Sequence, residues 1–453
     1  MRIDPGGGGI SVSAVPHNQP VDQQKVSLAV REASLTIPLN ASNLADVLTS
    51  PRLNLNQAER DLVIQDLARQ GGPAWSFYAN DVARRNGNDY VSLQSDQAVI
   101  GDAVQQAYAD GAIDTRDLVR IADTSQVPNG GGGQRFLDIL MQGGAASEKG
   151  SAAEALANAL WARNGNNGVD QAAAAMYYYS NALTMQNDLT TPSMRLQAFT
   201  ALVNFNASNP YSGLPGGPLV TNWKNQAIAA EANLFVANAA ELTQELTLRN
   251  ATQTPDTQVL AKFMSQTVFN PSAQNIQLAD FSALGSDLTA ALTNESGTLM
   301  SNAKQAPPGS LQQSYLIEEY GRLSAALSGG AALALTNYDA QVQANDAARE
   351  QWASLVGGVV GKVVSADTPF GNPYEQLAGA ITKEVYNAIV PGPTRPTASL
   401  ADTLYNHYAQ NVEQLRTQPG QPTTLTSDFD STYGATLLNL QSKLNVNLGG
   451  HAQ

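Results

Sequence analysis

The stretch NQAERDLVIQDLARQGGP, residues 56–73, carries the full set of signals for one amphipathic helix. Asn56 is a typical N-cap residue, and Glu59 stands three positions later, where its side chain can bond back to the N-cap backbone. Apolar residues then recur at helical spacing from Leu62 to Leu67. The Gly-Gly-Pro that closes the stretch is a strong helix terminator. These residues therefore predict a helix with one buried face.

Similar signals recur along most of the chain from Asn43 onward. Ser151 and Glu154 repeat the capping pattern, and Pro192 favours a helix start. Leu219–Leu248 has the length of one long helix with a break or kink in it. The sequence thus predicts an all-α protein, either a multi-helix bundle or a helical array, with a disordered N-terminal tail.

Glycine- and proline-rich stretches divide the chain into four predicted parts. They are a flexible tail and candidate secretion signal over 1–42, a helical domain over 43–306, a helical region with Gly-rich apolar segments over 307–391, and a C-terminal helical segment over 392–453. Within the tail, apolar alternation over Val26–Ile37 leaves open a short strand or a docking segment. The run Gly130–Gly133 is predicted to be a linker, because it lacks the Gly-Lys-Ser/Thr of a phosphate-binding loop.

The chain carries few charges, and their balance is negative. Charged residues make up 14% of the 453 residues, and the net charge is −14. Nucleic-acid binders cluster Lys and Arg along the phosphates, whereas Arg84 and Arg85 form the one adjacent basic pair in this sequence. We therefore predict no nucleic-acid partner, and passive adhesion to an anionic membrane is disfavoured.

Cysteine is absent from the sequence. Its absence excludes disulfides, thiolate zinc sites and cysteine nucleophiles. A cysteine-free chain suits a protein that crosses redox compartments or is threaded through a secretion machine, although compositional bias explains it equally well. The first residues lack the apolar core of a Sec signal peptide, so we expect any export to use another route.

Few side chains in the sequence are suited to catalysis or metal binding. Of the three histidines, His17, His407 and His451, only His407 stands within a predicted fold. His407 is predicted to be either a general base or, more commonly, a surface or interfacial histidine. No G-x-S-x-G nucleophile motif accompanies it.

A calcium site is the second candidate. Residues 109–117 resemble the second half of an EF-hand loop, but its first ligand positions fall on Gln106 and Tyr108, which cannot supply the charge. The alternative is a helix–turn–helix in which Asp110-Gly111 ends one helix and Asp114 caps the next.

Acidic pairs on the predicted helices are the third candidate. Paired carboxylates can hydrolyse glycosides, but on amphipathic helices they more often form solvated faces. The pairs in question are Glu318 with Glu319 and Asp346 with Glu350, and we assign them no role. The sequence therefore predicts no catalytic, cofactor-binding or metal-binding residue and does not favour an enzyme.

Two Gly-rich apolar segments, residues 329–335 and 355–364, allow a specific functional interpretation. They are either the insertable elements of a pore-former or a closely packed central helix pair, since small residues let helices approach one another. Each run is much shorter than the roughly 20 residues of a spanning helix. The membrane or interaction candidates are Gly329, Gly330, Gly357, Gly358, Val360 and Gly361.

The middle of the chain resembles the helical N-terminal or pre-toxin regions of large secreted Gram-negative toxins and effectors. The matching phrases are Ala107–Asp123, Ala155–Asn166 and Phe263–Pro271, within residues 95–390. The acidic, cysteine-free composition and the Ser/Gln/Gly/Pro-rich N-terminus are also similar to type III-secreted effectors, translocators and harpins. These resemblances imply an unfolded N-terminal export signal and a partner-binding helical body.

The sequence therefore predicts a secreted bacterial effector or toxin-delivery protein, delivered by a bacterial secretion system without a Sec signal peptide. Its partner would be a host protein, a prey protein or a secretion chaperone, and no cofactor is expected. One alternative is a pore-forming or translocon protein that inserts residues 329–364 into a membrane. The other is a helical hydrolase of unrecognised class.

Overall fold

The computed structural model describes the chain in segments and shows an all-α protein. The described residues are 20–35, 39–70, 75–76, 90–125, 132–144, 150–162, 170, 172–175, 177, 191–208, 218–247, 256–274, 276, 284–343, 346–366, 382–383 and 398–445. Within them the one strand pairing is parallel and two residues long, joining β1 (Leu39–Asn40) to β2 (Trp75–Ser76). The predicted fold class is confirmed.

The helices follow one another with short connections wherever the connection is described. In chain order they are α1 (Gln23–Ala33), α2 (Ala41–Thr49), α3 (Gln57–Gln70), α4 (Tyr90–Ala109), α5 (Thr115–Thr124), α6 (Gly132–Gln142), α7 (Ala152–Ala162), α8 (Pro192–Ala207), α9 (Pro218–Ala237), α10 (Ala239–Thr247), α11 (Thr257–Gln266), α12 (Leu284–Gln305), α13 (Leu311–Gln343), α14 (Asp346–Ala366), α15 (Ala398–Arg416) and α16 (Leu425–Leu444).

The chain forms two compact units. The first comprises Met1–Asp188 with Asn209–Lys224, and the second Leu189–Ser208 with Asn225–Gln453. The seam predicted at residue 306 lies inside the second unit, because α12 and α13 pack against each other on either side of that turn. The Pro-Pro-Gly there makes a tight connection between two packed helices instead of separating two domains.

Helix α1 occupies part of the predicted flexible tail. The Asp22 carboxylate caps it by accepting the Gln24 N–H at 2.9 Å. Val26, Ala29 and Ala33 are buried, and α1 packs against α2 and α3. The tail prediction is wrong for this helix, as is the alternative of a short strand, because these three residues recur at helical spacing. Residues 1–19 lie outside the described residues.

The predicted capping box at the start of α3 is confirmed, and it has a second function. The Asn56 N–H donates to Glu59 Oε2 at 2.9 Å, and the Glu59 N–H donates to Asn56 Oδ1 at 3.0 Å. The other Glu59 oxygen accepts the N–H of Asp22 at 2.9 Å. One buried carboxylate thus caps α3 and joins the start of α1 to it.

In the first unit, α4 packs against α2, α3 and α6. A Cβ built on Gly101 of α4 would lie 2.5 Å from the carbonyl oxygen of Ile139 in α6, so the two backbones meet where a side chain would not fit. The linker prediction is wrong for Gly132 and Gly133, which form the first turn of α6. A Cβ on Gly132 would overlap the carbonyl oxygen of Ala122, so glycine is needed here for close packing.

In the second unit, α13 is the central helix. It packs against α11, α12, α14, α15 and α16, and each residue from Tyr320 to Ala332 is buried. Aromatic rings fill the space beside it: Tyr320 lies 6.0 Å from Tyr408 and 5.8 Å from Phe429 between ring centroids. The core of this unit is therefore built around one 33-residue helix.

The break predicted within Leu219–Leu248 is confirmed at Asn238, which separates α9 from α10. Its side-chain amide donates to the Leu234 carbonyl at 3.0 Å, and its own carbonyl accepts the N–H of Leu242 at 2.9 Å. Asn238 therefore ends one helix and starts the next without leaving these backbone groups unpaired.

Candidate interaction surface

The first pair of predicted interaction residues lies deep inside the second unit. A Cβ on Gly329 would be 2.8 Å from Leu440 Cδ1 of α16. A Cβ on Gly330 would be 2.9 Å from both the Ala261 carbonyl oxygen and Met264 Cβ of α11. The two glycines thus let α13 approach two neighbouring helices. These neighbours are not α14, which carries the other Gly-rich segment, so the predicted central pair of the two segments stays a prediction.

The second group of candidates lies on α14. Val360 and Gly361 are buried, and Gly357 meets Thr382 so closely that a Cβ would overlap its side chain. Gly358 is half-buried, and a Cβ there would meet nothing within 4 Å. Apart from Gly358, these residues also serve packing in the folded protein.

Membrane insertion of residues 329–364 stays a prediction. Among the described residues, no helix is both long and apolar enough to cross a membrane. Insertion would also require α13 to leave the contacts with α11 and α16 that bury Gly329 and Gly330.

The EF-hand-like segment is a helix–turn–helix. Asp114 Oδ1 accepts the N–H of Arg116 at 2.8 Å and that of Asp117 at 3.1 Å, while Asp117 Oδ2 accepts the Asp114 N–H at 3.2 Å. Gly111 takes a left-handed φ of 72°, as a residue just past a helix end often does. The acidic residues here cap helix α5. Over the described part of the chain, no cluster of three or more His, Asp or Glu side chains is placed to hold a metal ion.

The acidic pairs on α13 and α14 each include a carboxylate bound to an arginine. Glu318 accepts from Arg322 at 2.6 Å, and Asp346 forms an ion pair with Arg349. Burial raises the pKa of Glu319, and the nearby Arg322 partly opposes that shift. His407 lies half-buried on α15.

An exposed apolar pair begins α13. Leu311 is 76% exposed and Tyr315, one helical turn later, is 56% exposed. Pro307 and Pro308 in the preceding turn are also exposed. Single exposed apolar residues are common on protein surfaces, whereas contiguous apolar patches mark sites of interaction. We call Pro307, Pro308, Leu311 and Tyr315 the α13 patch.

Buried hydrogen bonds hold the α13 patch in place. The Gln313 side chain is fully buried. Its oxygen accepts the Gly309 N–H at 2.9 Å, and its amide donates to the Ala303 carbonyl at 3.0 Å and to Gln421 Oε1 at 2.7 Å. One side chain thus fixes the turn before α13 and ties it to the loop between α15 and α16. A patch held this way is ordered before it meets a partner, which lowers the entropic cost of binding.

The surroundings of the α13 patch are more acidic than basic. Within residues 303–322 and 410–431 the acidic residues are Glu318, Glu319, Glu413, Asp428 and Asp430, and the basic ones are Lys304, Arg322 and Arg416. Two of the basic residues already pair with acids, Arg322 with Glu318 and Arg416 with Glu413. The uncompensated charge of these two segments is therefore negative, and Asp428 lies beside the patch, where its carboxylate accepts from Ser314 Oγ at 3.3 Å.

Sequence reasoning missed this surface. Leu311 falls in the predicted helical region 307–391, but the sequence does not reveal which side of the first turn of α13 the neighbouring helices cover. The available signal was the spacing of Leu311 and Tyr315, four residues apart and offset from the buried Gln313 and Ile317.

Comparisons with known proteins do not assign a function to this arrangement. No protein family model matches the chain, no curated protein shows significant sequence similarity to it, and no solved structure shows significant similarity to its fold.

Proposed function

We propose that the protein is a secreted bacterial effector or toxin-delivery protein that acts by binding another protein through the α13 patch. The observation that carries this proposal is the pair of neighbouring exposed side chains, Leu311 and Tyr315, on a rigid helix. Tyrosine is enriched at protein interfaces because it offers both apolar area and a hydrogen-bonding group. The cysteine-free composition supports passage between redox compartments.

The charge around the α13 patch indicates the kind of partner. An acidic rim attracts a basic one and repels surfaces of its own sign. The partner surface would therefore offer an apolar recess for Leu311 and Tyr315 with Lys or Arg at its edge. A host protein, a prey protein and a secretion chaperone each remain candidates for this role.

Binding is tested by placing a photo-cross-linking amino acid at exposed Gln312, between the two anchors, in cells that contain candidate partners. Replacing both anchors, by Leu311→Ser and Tyr315→Ser, should weaken binding of the identified partner by about 30-fold, since a central anchor contributes roughly 2 kcal/mol or more. Leu35→Ser in the first unit is the matched control, because Leu35 is 73% exposed and should leave binding unchanged. Equal binding by the double variant and the control would contradict the proposal.

Export is tested separately by deleting residues 1–19, which leaves Asp22 and all of α1 in place. We expect this deletion to reduce the protein in the medium of a secretion-competent Gram-negative host to the level of a secretion-deficient strain. Circular dichroism should show unchanged helix content, so that loss of export is not loss of folding. Undiminished export of the deleted chain would remove the secretion signal from the proposal.

A further inference from the structure

A carboxyl group lies buried in the second unit with a single described hydrogen bond. Glu231 on α9 is fully buried. Its Oε2 accepts from the Asn206 side-chain amide of α8 at 2.9 Å, and Oε1 has no hydrogen-bond partner among the described residues. Burying an ionised carboxylate with so few donors is costly, whereas a protonated carboxyl is tolerated far better.

The surroundings of Glu231 are apolar. One helical turn further along α9, the ring centroid of Phe235 lies 5.8 Å from that of Phe199 on α8 and 4.7 Å from that of Phe263 on α11. The pairs Phe199–Phe235 and Asn206–Glu231 show that α8 and α9 run in opposite directions along a shared interface. Ionisation of Glu231 would therefore place a charge beside the aromatic contacts that hold three helices together.

The charged residues of the neighbouring helices do not offset a negative charge on Glu231. Within the described parts of α8, α10 and α11 they are Arg195, Glu241, Glu245 and Lys262. Arg195 bonds Glu241 at 2.7 Å through Nε, and Lys262 donates to Asn204 at 2.9 Å on the exposed side. Burial raises the pKa of Glu231 from its ordinary 4.5 to about 8, and the bond from Asn206 opposes that rise.

We propose that the buried Glu231–Asn206 pair makes the α8–α9 interface a pH-sensitive switch, closed while Glu231 is protonated and loosened when it ionises. The folded state holds one more proton than the unfolded state between about pH 4.5 and 8, so its stability decreases as the pH rises through that window. The unit is thus held more firmly in acid than at neutral or alkaline pH. The switch goes beyond the proposed function, and only its use in moving between compartments rests on that function.

Hydrogen exchange of the purified full chain, followed by mass spectrometry at pH 5.5, 6.5 and 7.5, tests the switch. In the unaltered protein, the protection factors of amides in α8 and α9 should decrease with pH. In the unaltered protein the protection factors should fall about tenfold per pH unit, as expected for the linkage of one proton. In Glu231→Gln this fall should be absent. Glu245→Gln, at an exposed position on α10, is the matched control and should keep the original dependence. Peptide-level data are needed because burial also raises the pKa of Asp138, in the first unit, to about 7.

The same pH dependence in the unaltered protein and in Glu231→Gln would overturn the proposal. If Glu231→Gln does not fold, Asn206→Ala is compared with the unaltered protein in measurements extended to about pH 9. Loss of the amide donor should move the upper end of the pH-dependent range, about pH 8 in the unaltered protein, to higher pH. An unmoved upper end would equally overturn the proposal. The measurement needs neither export nor a partner. A negative result in this measurement would not affect the proposed function. A negative result in the export or binding experiments would not affect the proposed switch.

Discussion

Replacing Gly330 by alanine is expected to lower the free energy of unfolding by about 2 kcal/mol. The added Cβ would stand 2.9 Å from the Ala261 carbonyl oxygen and from Met264 Cβ, and neither a backbone oxygen nor a buried methylene can move aside cheaply. Overpacking of this kind costs roughly 1–3 kcal/mol and outweighs the gain of about 1 kcal/mol in helix propensity. Urea denaturation followed by far-UV circular dichroism measures the change.

Gly358→Ala is the matched control, with the opposite expected sign. Gly358 also lies inside a helix, but a Cβ there meets nothing within 4 Å. The alanine should therefore stabilise the protein by about 0.5–1 kcal/mol, through helix propensity and a less flexible unfolded chain. If both variants stabilise the protein, Gly330 does not have the packing function inferred for it.

Replacing Arg322 by leucine is expected to destabilise the protein by about 3 kcal/mol. The guanidinium is almost fully buried; it donates to the Thr247 carbonyl at 2.9 Å and bonds Glu318 at 2.6 Å. Leucine would leave a buried helix-end carbonyl without a donor and a half-buried carboxylate without its partner. The shift of the urea midpoint reports the loss.

Arg416→Leu provides the comparison for that experiment. Arg416 bonds Glu413 through Nε at 2.7 Å, but on a surface where the arginine side chain is 34% exposed. Ion pairs at such positions contribute little to stability, so the urea midpoint should not change measurably. Equal effects of the two substitutions would show that Arg322 contributes no more than a surface pair.

The parts of the fold that could be predicted are those set by residues close together in sequence. The capping bonds of Asn56 with Glu59 span three positions. In the Ser151 cap, the Glu154 N–H donates to Ser151 Oγ as expected, and the Glu154 carboxylate accepts from the Gly150 N–H. Patterns of this kind can be recognised in a single sequence because the residues involved lie within one helical turn.

The parts that could not be predicted depend on distant residues. Gly132 looks like a linker until α5 is placed against it, and the α1 segment looks like a tail until α3 covers its apolar face. The exposure of Leu311 and the isolation of Glu231 in the core likewise follow from how helices pack. Helical spacing predicts which residues share a face but not what covers that face.

The bonds around α13 also bear on the order in which the chain can fold. Ser328 accepts from Tyr433 across 105 positions, and Gln313 donates to Gln421 across 108. During synthesis, these partners leave the ribosome long after α13 itself. The apolar face of α13 that packs against α16 therefore stays exposed until α16 has been synthesised. Exposed apolar surface of this kind is bound by chaperones and is prone to aggregation. Under the export that we propose, this interval is when a chaperone would keep the chain in an unfolded, exportable form.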